Sequence, residues 1–415
     1  MTNSAYTTPL SFTSQFFFCG LPLRLDSYRG CTFQCNFCYA RYRGGNTPDE
    51  KILPADPGFL ARRFKRIFGG HVRSSFLGQL LQHRMPLHFG GMSDPFQPAE
   101  MRYRITQQFL ESLAEYNYPT VISTRSDLVL KSPYRELIRD IGHVVVQFSF
   151  VSTDTRIANR FEPHSSTPKQ LLVAMEKLSS AGIQIVCRWQ PFIPTVSESP
   201  RQFVRQMVNA GARHIAFEHL KLPLERSHRL WGQLTAAVDC DLFELYRRRG
   251  AVCDGREYVL PPEEKLPMVR LVREAAHEYG ITFGAADNEF QFLSDTSCCC
   301  SGVDQFPGFE GWFRHQIAHA VRKCRGRRIV YEAIGSEWFP VGSVDRWLNS
   351  KTRIGQRLGD ETDIRSHLRY RWNSPSLPYS PATFFGVEPT NEFTASGYRV
   401  YQWNLERVVR TFTDG

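Results

Sequence analysis

Long hydrophobic runs are missing from this 415-residue sequence. No stretch approaches the roughly 18 uninterrupted apolar residues that cross a bilayer, so we expect no membrane-spanning segment. The apolar stretch QFFFCGLPL at 15–23 has no basic residue before it and no small-residue cleavage site after it. No secretory signal is therefore predicted, and the expected compartment is the reducing cytoplasm. The sequence also has no helix-turn-helix signature, no Walker loop and no internal repeat.

The composition is that of a folded protein. Hydrophobic residues make up 42% of the chain and charged residues 22%, so a large core can form. The length allows one large domain or two to three ordinary ones. Eleven cysteines, an odd number in a chain without a predicted secretory signal, favour metal binding over disulfides.

Positive charge is in excess, and it lies at the two ends of the chain. Residues 1–150 have 17 Lys and Arg against 11 Asp and Glu, and residues 321–415 have 15 against 10. Residues 151–320 have 19 against 20, which accounts for the total of +10. Basic runs stand at 62–66 and 322–328. Such runs are typical of a solvated surface, and they are also what a nucleic acid or another polyanion would require.

Three cysteines stand on one short stretch, and a fourth is missing. Cys31, Cys35 and Cys38 have the spacing C-x3-C-x2-C, and no histidine lies nearby. A disulfide with a spare thiol does not suit a reducing compartment, and structural zinc usually takes four ligands from two C-x2-C pairs. The third alternative is a four-iron, four-sulfur (4Fe–4S) cluster on three thiolates, with one iron open to another ligand.

The spacing and the aromatic residue after the last cysteine resemble the radical S-adenosylmethionine (SAM) superfamily. The resemblance implies that SAM occupies the open iron through its amino and carboxylate groups. It also implies that one electron, from a donor such as flavodoxin or ferredoxin, cleaves SAM. The 5′-deoxyadenosyl radical that results would remove a hydrogen atom from the substrate.

The family fold is a full or partial (β/α) barrel, and the pattern of the chain agrees with it. Short apolar segments alternate with helical patterns of ten or more residues, such as 105–116 and 168–182, which predicts a parallel sheet. We therefore expect an α/β fold, a partial (β/α)6 TIM-type barrel, with an α+β extension at its C-terminal side. The predicted strands are 24–30, 85–91, 118–126, 142–152, 182–194 and 212–220.

The predicted organisation has four parts. Residues 1–21 form an N-terminal segment and residues 22–225 the partial barrel. Residues 226–330 form a helical extension that contains the cysteines at 298–300, and residues 331–415 a basic accessory region. The site should lie at the carboxyl ends of the strands, where the cysteine loop already is.

Further motifs at the strand ends resemble the spore photoproduct lyase-like branch of the superfamily. These are FGGMSDPFQPAE at 89–100, STRSDLVLKS at 123–132, QFSFVSTD at 147–154 and RFEP at 160–163, although an Arg stands at 125 where the branch would have Lys. The acidic residue usual after the glycine pair is replaced by Met92. The resemblance implies cofactor contacts for Tyr39, Gly90, Gly91, Ser93, Asp94, Thr124, Ser149 and Arg160.

Two neighbouring residues of the fifth predicted strand are candidate catalytic residues. An isolated buried cysteine such as Cys187 is usually a small apolar residue. The alternative, implied by the branch, is a thiol that returns a hydrogen atom to a product radical. Arg188 is expected to contact SAM or the substrate if it points inward.

Three adjacent cysteines follow beyond the resemblance. Cys298, Cys299 and Cys300, together with Cys324, are predicted to hold an auxiliary iron–sulfur cluster. Structural zinc, redox-active hydrogen donors and no metal at all are the alternatives.

The C-terminal segment interleaves arginine with aromatic residues, as in RSHLRYRWNSP at 365–375. This pattern is typical of a surface that stacks single-stranded bases, and equally of a packed accessory region. The predicted substrate is a nucleic-acid base or modified nucleotide, with DNA ahead of RNA, for repair or modification of lyase type. The alternatives are an isomerase or maturase that acts on an amino-acid-like or peptide group, and a zinc-dependent nucleic-acid-binding protein.

Overall fold

The computed structural model describes residues 6–41, 51–70, 75–224, 229–238, 240–255, 257–297, 299–310, 316–335, 338–347, 363–404 and 406. In these ranges, no helix is long and apolar enough to cross a membrane. Cys298 and most of the possible helix at 341–359 lie outside the described residues.

The strands of the described residues are β1 Leu10–Phe12, β2 Leu23–Leu25, β3 Tyr28–Arg29, β4 Leu53–Pro54, β5 Leu87–Phe89, β6 Thr120–Thr124, β7 Val144–Phe150, β8 Gln184–Phe192, β9 His214–His219, β10 Leu222–Pro223, β11 Val252–Asp254, β12 Glu257–Val259, β13 Thr282–Ala285, β14 Val387–Phe393 and β15 Arg399–Trp403. The α-helices are α1 Phe59–Phe68, α2 Phe76–Gln82, α3 Glu100–Tyr103, α4 Ile105–Glu115, α5 Tyr134–Asp140, α6 Thr155–Phe161, α7 Pro168–Ser180, α8 Pro200–Asn209, α9 Arg229–Val238, α10 Leu242–Arg248, α11 Pro262–Glu278, α12 Ile317–Lys323 and α13 Ile364–Asn373. Single 3-10 turns lie at 39–41, 127–130, 288–293, 303–305, 331–333, 345–347 and 381–383.

One large sheet organises the fold, with the strand order β1-β2-β5-β6-β7-β8-β9-β13. Every neighbouring pair from β2 to β13 is parallel, and only β1 runs antiparallel to its neighbour. In the described residues β2 and β13 do not pair, so the sheet is an open partial barrel. The predicted α/β partial barrel is confirmed, and all six predicted strands are present in the sheet.

The strands form where buried β-branched and aromatic residues are continuous. All seven residues of β7 are buried, because helices cover one face and polar side chains and an inserted segment cover the other. Between the strands, α7 begins as its sequence predicts. The Thr167 hydroxyl accepts from the backbone N–H of Gln170, and the Gln170 side chain accepts from the backbone N–H of Thr167. Pro168 occupies the first turn.

A seventh parallel strand, β13, lies beside β9, although its residues belong to the segment predicted as a helical extension. After it, the chain turns back inside the barrel. Apolar residues of this returning segment pack against the inner face of β6, β7 and β8; they are Cys299, Val303, Phe306 and Phe309. This segment therefore fills one end of the barrel and leaves a cavity at the other.

The C-terminal part packs against the outside of this body. The β14–β15 hairpin and α13 share the main apolar core with α12 and with the aromatic residues Phe16, Phe17 and Phe18. The predicted α+β extension is thus present, and it is joined to the barrel by a common core.

Candidate active site

A cavity of about 280 Å³ lies at the carboxyl ends of the parallel strands. It is lined by the cysteine loop after β2, by the loops after β5 and β6, and by inward side chains of β7, β8 and β9. Residues that follow β13 and the returning segment close its far side. Ligand sites of parallel α/β sheets occur at this edge, because several loops converge there.

Cys31, Cys35 and Cys38 all line this cavity as free thiols. Burial, and then the neighbouring Asp94, raise the pKa of Cys31 to about 12. Burial likewise raises the pKa of Cys35 to about 12, against the opposing effect of Arg125. Free thiols here would stay protonated at neutral pH, so a metal that bound them would have to supply the positive charge that releases the protons.

The segment 93–100 fixes the start of the cysteine loop. Gln97, which is fully buried, accepts from the backbone N–H of Thr32 at 2.9 Å and donates to the carbonyl of Gly30 at 3.0 Å. It thereby clamps the backbone on both sides of Cys31. The Ser93 hydroxyl donates to the carbonyl of Tyr28 at 2.7 Å, which holds the strand that leads into the loop.

Glu100, at the end of the same segment, is a buried anchor. Its carboxylate accepts from the hydroxyl groups of Tyr28 and Tyr134, and from the backbone N–H groups of Thr106 and Gln107 at 2.9 and 3.0 Å. These bonds satisfy a buried charge and also the first N–H groups of α4. The motif at 89–100 is therefore, in large part, a support for the cysteines.

We predict that Gln97→Ala loosens the cysteine loop without unfolding the protein. The change leaves the Thr32 N–H and the Gly30 carbonyl without their partner, at a cost of about 1–3 kcal/mol each when no water replaces it. After anaerobic reconstitution with iron and sulfide, the variant should lose iron several-fold faster during desalting. Gln108→Ala, at an exposed position of α4, is the matched control. Equal iron loss in the two variants would contradict the clamp.

Two aspartates, Asp26 and Asp94, hold the loops around the glycine pair. Asp26 accepts from the backbone N–H groups of Met92 and Ser93 at 2.8 and 3.1 Å, and burial raises its pKa to about 7. Asp94 accepts from the Thr124 hydroxyl at 2.9 Å and from the Arg125 backbone at 2.6 Å. Burial raises the pKa of Asp94 to about 6. Its carboxylate ties the loop after β5 to the loop after β6.

Arg125 connects four parts of the cavity wall. It forms an ion pair with Glu162, and it donates to the carbonyls of Ser149 and Gln190 at 3.3 and 2.8 Å. Its guanidinium group also lies 5.1 Å from the ring centre of Phe37 in the cysteine loop. The arginine that stands where the branch would have lysine is thus a structural cross-link, because its fork makes several directed bonds at once.

The end of the cavity formed by β8 and β9 is charged. The Glu218 carboxylate pairs with Lys221, accepts from Gln190, and lies 3.7 Å from the Arg188 guanidinium. Arg188 points inward, since its side chain lines the cavity. Asp287 binds His219 at 2.7 Å beside this group, and both side chains are almost fully buried. A polar or charged part of a ligand fits this end.

Most of the predicted site residues are brought to this one cavity. The residues that line it are Cys31, Cys35, Cys38, Tyr39, Gly90, Gly91, Ser93, Asp94, Thr124, Ser149, Arg188, Cys299 and Cys300. Tyr39 donates to the carbonyl of Gly91 and so links the cysteine loop to the glycine pair. Gly90 has a φ of 94°, and a Cβ there would lie 2.6 Å from the carbonyl oxygen of Ser123.

Three predicted site residues lie elsewhere. Arg160 is exposed on the last turn of α6, and its backbone carbonyl accepts from Asn36 at 2.6 Å. Cys187 points to the outer face of β8, where it is fully buried in the main apolar core, which favours its interpretation as a small apolar residue. Cys324 is buried in the same core, at the end of α12.

At Trp372 the structure favours the packed accessory region over a base-stacking surface. Trp372 is fully buried, its ring packs edge-on against Tyr331 and Tyr401, and its Nε1 donates to the carbonyl of Arg399 at 2.7 Å. It therefore has no free face on which a base could stack. The alternation of Arg with aromatic residues in α13 reflects packing, because the helix buries one face against the hairpin.

Unpartnered polar atoms show that the cavity suits a polar ligand. Arg24 Nε, Gln147 Oε1 and Gln291 Oε1 are buried without a hydrogen-bond partner among the described residues, and all three side chains line the cavity. Buried polar groups normally have partners, so a ligand with donors and acceptors fits here. Three thiols, a glycine pair and these atoms form a donor set that suits an iron–sulfur cluster and SAM.

No three His, Cys, Asp or Glu side chains in the described part of the chain are placed to hold a single metal ion. This includes Cys31, Cys35 and Cys38. A zinc ion needs its ligands to converge on one point, whereas the thiolates of a four-iron cluster bind separate irons and stand further apart.

Sequence reasoning missed several residues that matter here. Asp26, Gln97 and Arg125 act through backbone groups 65–67 positions away or through partners on other strands, and only the fold brings these together. Cys19 lines the cavity as well, although it precedes β2 and belongs to no cysteine motif. The motif at 89–100, which contains Gln97, was the usable signal.

Several known proteins are similar to this chain, although no family model matches it. An uncharacterized protein of Mycobacterium tuberculosis is 26% identical over 269 residues, which are 61% of this chain and 76% of that protein. A spore photoproduct lyase mutant of solved structure has a TM-score of 0.47 and 17% identity, over 63% of this chain and 74% of its own.

A protein of Pseudomonas phage M6 is named radical SAM Nalpha-GlyT isomerase. It is 22% identical over 270 residues, which are 62% of this chain and 52% of the phage protein. This similarity confirms the resemblance to radical SAM proteins that the cysteine motif predicts.

Proposed function

We propose that this chain is a radical SAM enzyme that removes a hydrogen atom from a nucleic-acid base or modified nucleotide. One observation carries the first part of the proposal. The three thiols of the C-x3-C-x2-C loop share a single cavity with the glycine pair and with polar side chains at the ends of β7 and β8.

In this proposal Cys31, Cys35 and Cys38 hold a 4Fe–4S cluster, and the Gly90–Gly91 turn lets backbone groups approach SAM. When bound, the cluster and SAM supply a 5′-deoxyadenosyl radical, which removes the hydrogen atom. The buried walls of the cavity keep water away from this reactive species. The electron comes from a donor such as flavodoxin or ferredoxin.

The surface charge supports a polyanionic substrate. Arg325, Arg327 and Arg328 are exposed after α12, and Arg328 pairs with Glu392. A second basic group brings together Arg63, Arg66 and Arg346, which are far apart in the sequence. Burial, and then the nearby charges of Arg66 and Arg346, lower the pKa of Arg63.

Oligonucleotide binding tests the substrate class. We expect labelled single- or double-stranded DNA or RNA to bind at low salt, and the affinity to fall steeply as salt rises, because each neutralised phosphate releases counterions. Replacing Arg325, Arg327 and Arg328 together by alanine should weaken binding several-fold and reduce the salt slope. SAM cleavage without substrate should remain unchanged.

The control replaces Arg135 and Arg139, exposed arginines of α5 that pair with adjacent carboxylates. This variant should bind like the wild type. Absence of binding to all four nucleic acids at low salt would remove the nucleic-acid substrate and leave the radical chemistry untouched.

A second candidate is an isomerase or maturase that acts on an amino-acid-like group. The charged end of the cavity favours it, since Arg188, Glu218 and Lys221 offer both signs of charge to a substrate with an amine and a carboxylate. Incubation with SAM and dithionite separates the two candidates. An oligonucleotide that stimulates 5′-deoxyadenosine formation favours the first, and stimulation by an amino acid or peptide alone favours the second.

A further inference from the structure

Three thiols that belong to no common motif meet inside the barrel. Cys19 comes from the loop between β1 and β2, and Cys299 and Cys300 come from the segment that returns after β13. All three line the cavity, and Cys19 and Cys300 pack against the inner apolar cluster that contains Cys299. They are separated by about 280 residues in sequence, so no spacing rule could have joined them.

The backbone of the returning segment contacts β9 and β13 close to Cys299 and Cys300. His214 of β9 donates from Nε2 to the carbonyl of Cys300 at 2.7 Å, while the hydroxyl of Thr282 of β13 lies 2.8 Å from its Nδ1. At Gly284 of β13 a Cβ would lie 2.2 Å from the Cys300 carbonyl oxygen, and at Gly302, with a φ of 61°, a Cβ would lie 2.3 Å from the His214 ring. Glycines allow both close approaches, so packing against β9 and β13 fixes the backbone position of the two cysteines.

The surroundings suit negatively charged sulfur. Arg188 of β8 lines the same cavity as Cys19, Cys299 and Cys300. A nearby positive charge favours the thiolate form that metal binding requires.

We propose that Cys19, Cys299 and Cys300 hold a second iron–sulfur cluster in the same cavity as the first. The inference deepens the proposed function but does not depend on its substrate. It replaces Cys324 of the predicted ligand set by Cys19, because Cys324 is buried in the main core outside the cavity. Cys298 lies outside the described residues, and the proposal makes no use of it.

A single zinc ion does not explain these thiols, since they do not converge as the ligands of one ion within the described residues. The same is true of the three cysteines of the C-x3-C-x2-C loop. Thiolates that bind separate irons of a cluster do not have to converge on one point. The two sets thus resemble each other in number, in burial and in the presence of a nearby arginine.

Iron analysis of cysteine variants tests the ligand set. After anaerobic reconstitution with iron and sulfide, the wild-type protein should hold about eight irons if both clusters contain four. Cys19→Ser and the double variant Cys299→Ser/Cys300→Ser should each lose about half of the iron, and electron paramagnetic resonance of the reduced protein should lose one of two signals. The signal of the cluster held by Cys31, Cys35 and Cys38 should remain in both variants. Cys19→Ala serves as a second replacement, and circular dichroism confirms that each variant is folded.

Cys324→Ser and Cys253→Ser are the controls, one buried outside the cavity and one exposed. Both should keep the wild-type iron content. Wild-type iron content in the folded Cys19→Ser and Cys299→Ser/Cys300→Ser variants would overturn the second cluster. Equal loss in Cys324→Ser would overturn the ligand set. Loss of SAM cleavage is the separate signature of the first site, so a Cys35→Ala protein that still cleaves SAM would contradict the proposed function alone.

Discussion

Alanine at Cys35 is expected to abolish reductive SAM cleavage altogether. In the proposed function Cys35 supplies one of only three protein ligands to the first cluster, and its side chain is buried in the cavity wall. Water cannot substitute well for a lost thiolate, because thiolates are the usual ligands of iron–sulfur clusters. Without the cluster no electron reaches SAM. Formation of 5′-deoxyadenosine, measured by chromatography after anaerobic incubation with SAM and dithionite, should fall below detection.

The same result is expected for Cys31→Ala and Cys38→Ala, whereas Cys253→Ala on the exposed strand β11 should retain wild-type activity. The fold should persist in all of them, since the loop is held by Gln97 and Tyr39 independently of the thiols. Normal 5′-deoxyadenosine formation in any one of the three loop variants would refute radical SAM chemistry at this site. Zinc as the only metal after reconstitution would do the same.

The sheet could be predicted from the sequence because each strand is a short, continuously apolar segment between helical patterns. Val144–Phe150 is the clearest example, with every residue buried. The seventh strand, Thr282–Ala285, was harder to predict because it has four residues, two of them small, and it follows a long helix. Its place beside β9 depends on long-range packing, which local propensity does not contain.

Alternation along β8 shows what sequence reasoning could have used more fully. Successive side chains of a strand point to opposite faces, so Cys187 and Arg188 cannot both enter the cavity. Arg188 and Gln190 line it, and Cys187 and Trp189 pack against the helices. Because Arg188 needs polar surroundings, its position indicates that Arg188 and Gln190, rather than Cys187 and Trp189, face the cavity.

The first proposed cysteine site could be recognised in the sequence because its three cysteines lie within eight residues. The second set was only half visible, since Cys299 and Cys300 are adjacent in sequence whereas Cys19 joins them through the fold. A choice between Cys19 and Cys324 as their companion required the three-dimensional arrangement. Supporting residues such as Gln97 are hidden for the same reason, because their partners are backbone groups.

Arg125→Ala is expected to be the most destabilising single change in the cavity wall. The Glu162 carboxylate is 3% exposed and the Arg125 side chain 14%, so their ion pair is buried. Removal of the arginine leaves the carboxylate buried without its counter-charge, which typically costs about 3–5 kcal/mol. The carbonyls of Ser149 and Gln190 also lose a donor. Denaturant unfolding of the iron-free protein should show the loss as a lower midpoint.

Further variants separate the effect of the Arg125 hydrogen bonds from the effect of its charge. Arg125→Lys keeps the positive charge but cannot reach Glu162, Ser149 and Gln190 together, so we expect an intermediate loss of stability. Arg125→Ala/Glu162→Ala removes both charges and should recover part of the loss, since the unpaired carboxylate is gone. Arg139→Ala, in an exposed pair with Asp140, is the control and should change the unfolding free energy by about 0–1 kcal/mol. If Arg125→Ala were no more destabilising than Arg139→Ala, the loops after β6 and β7 and the cysteine loop would have to be held by other contacts. In that case Arg125 would be available, like Arg188, as a direct contact for the ligand.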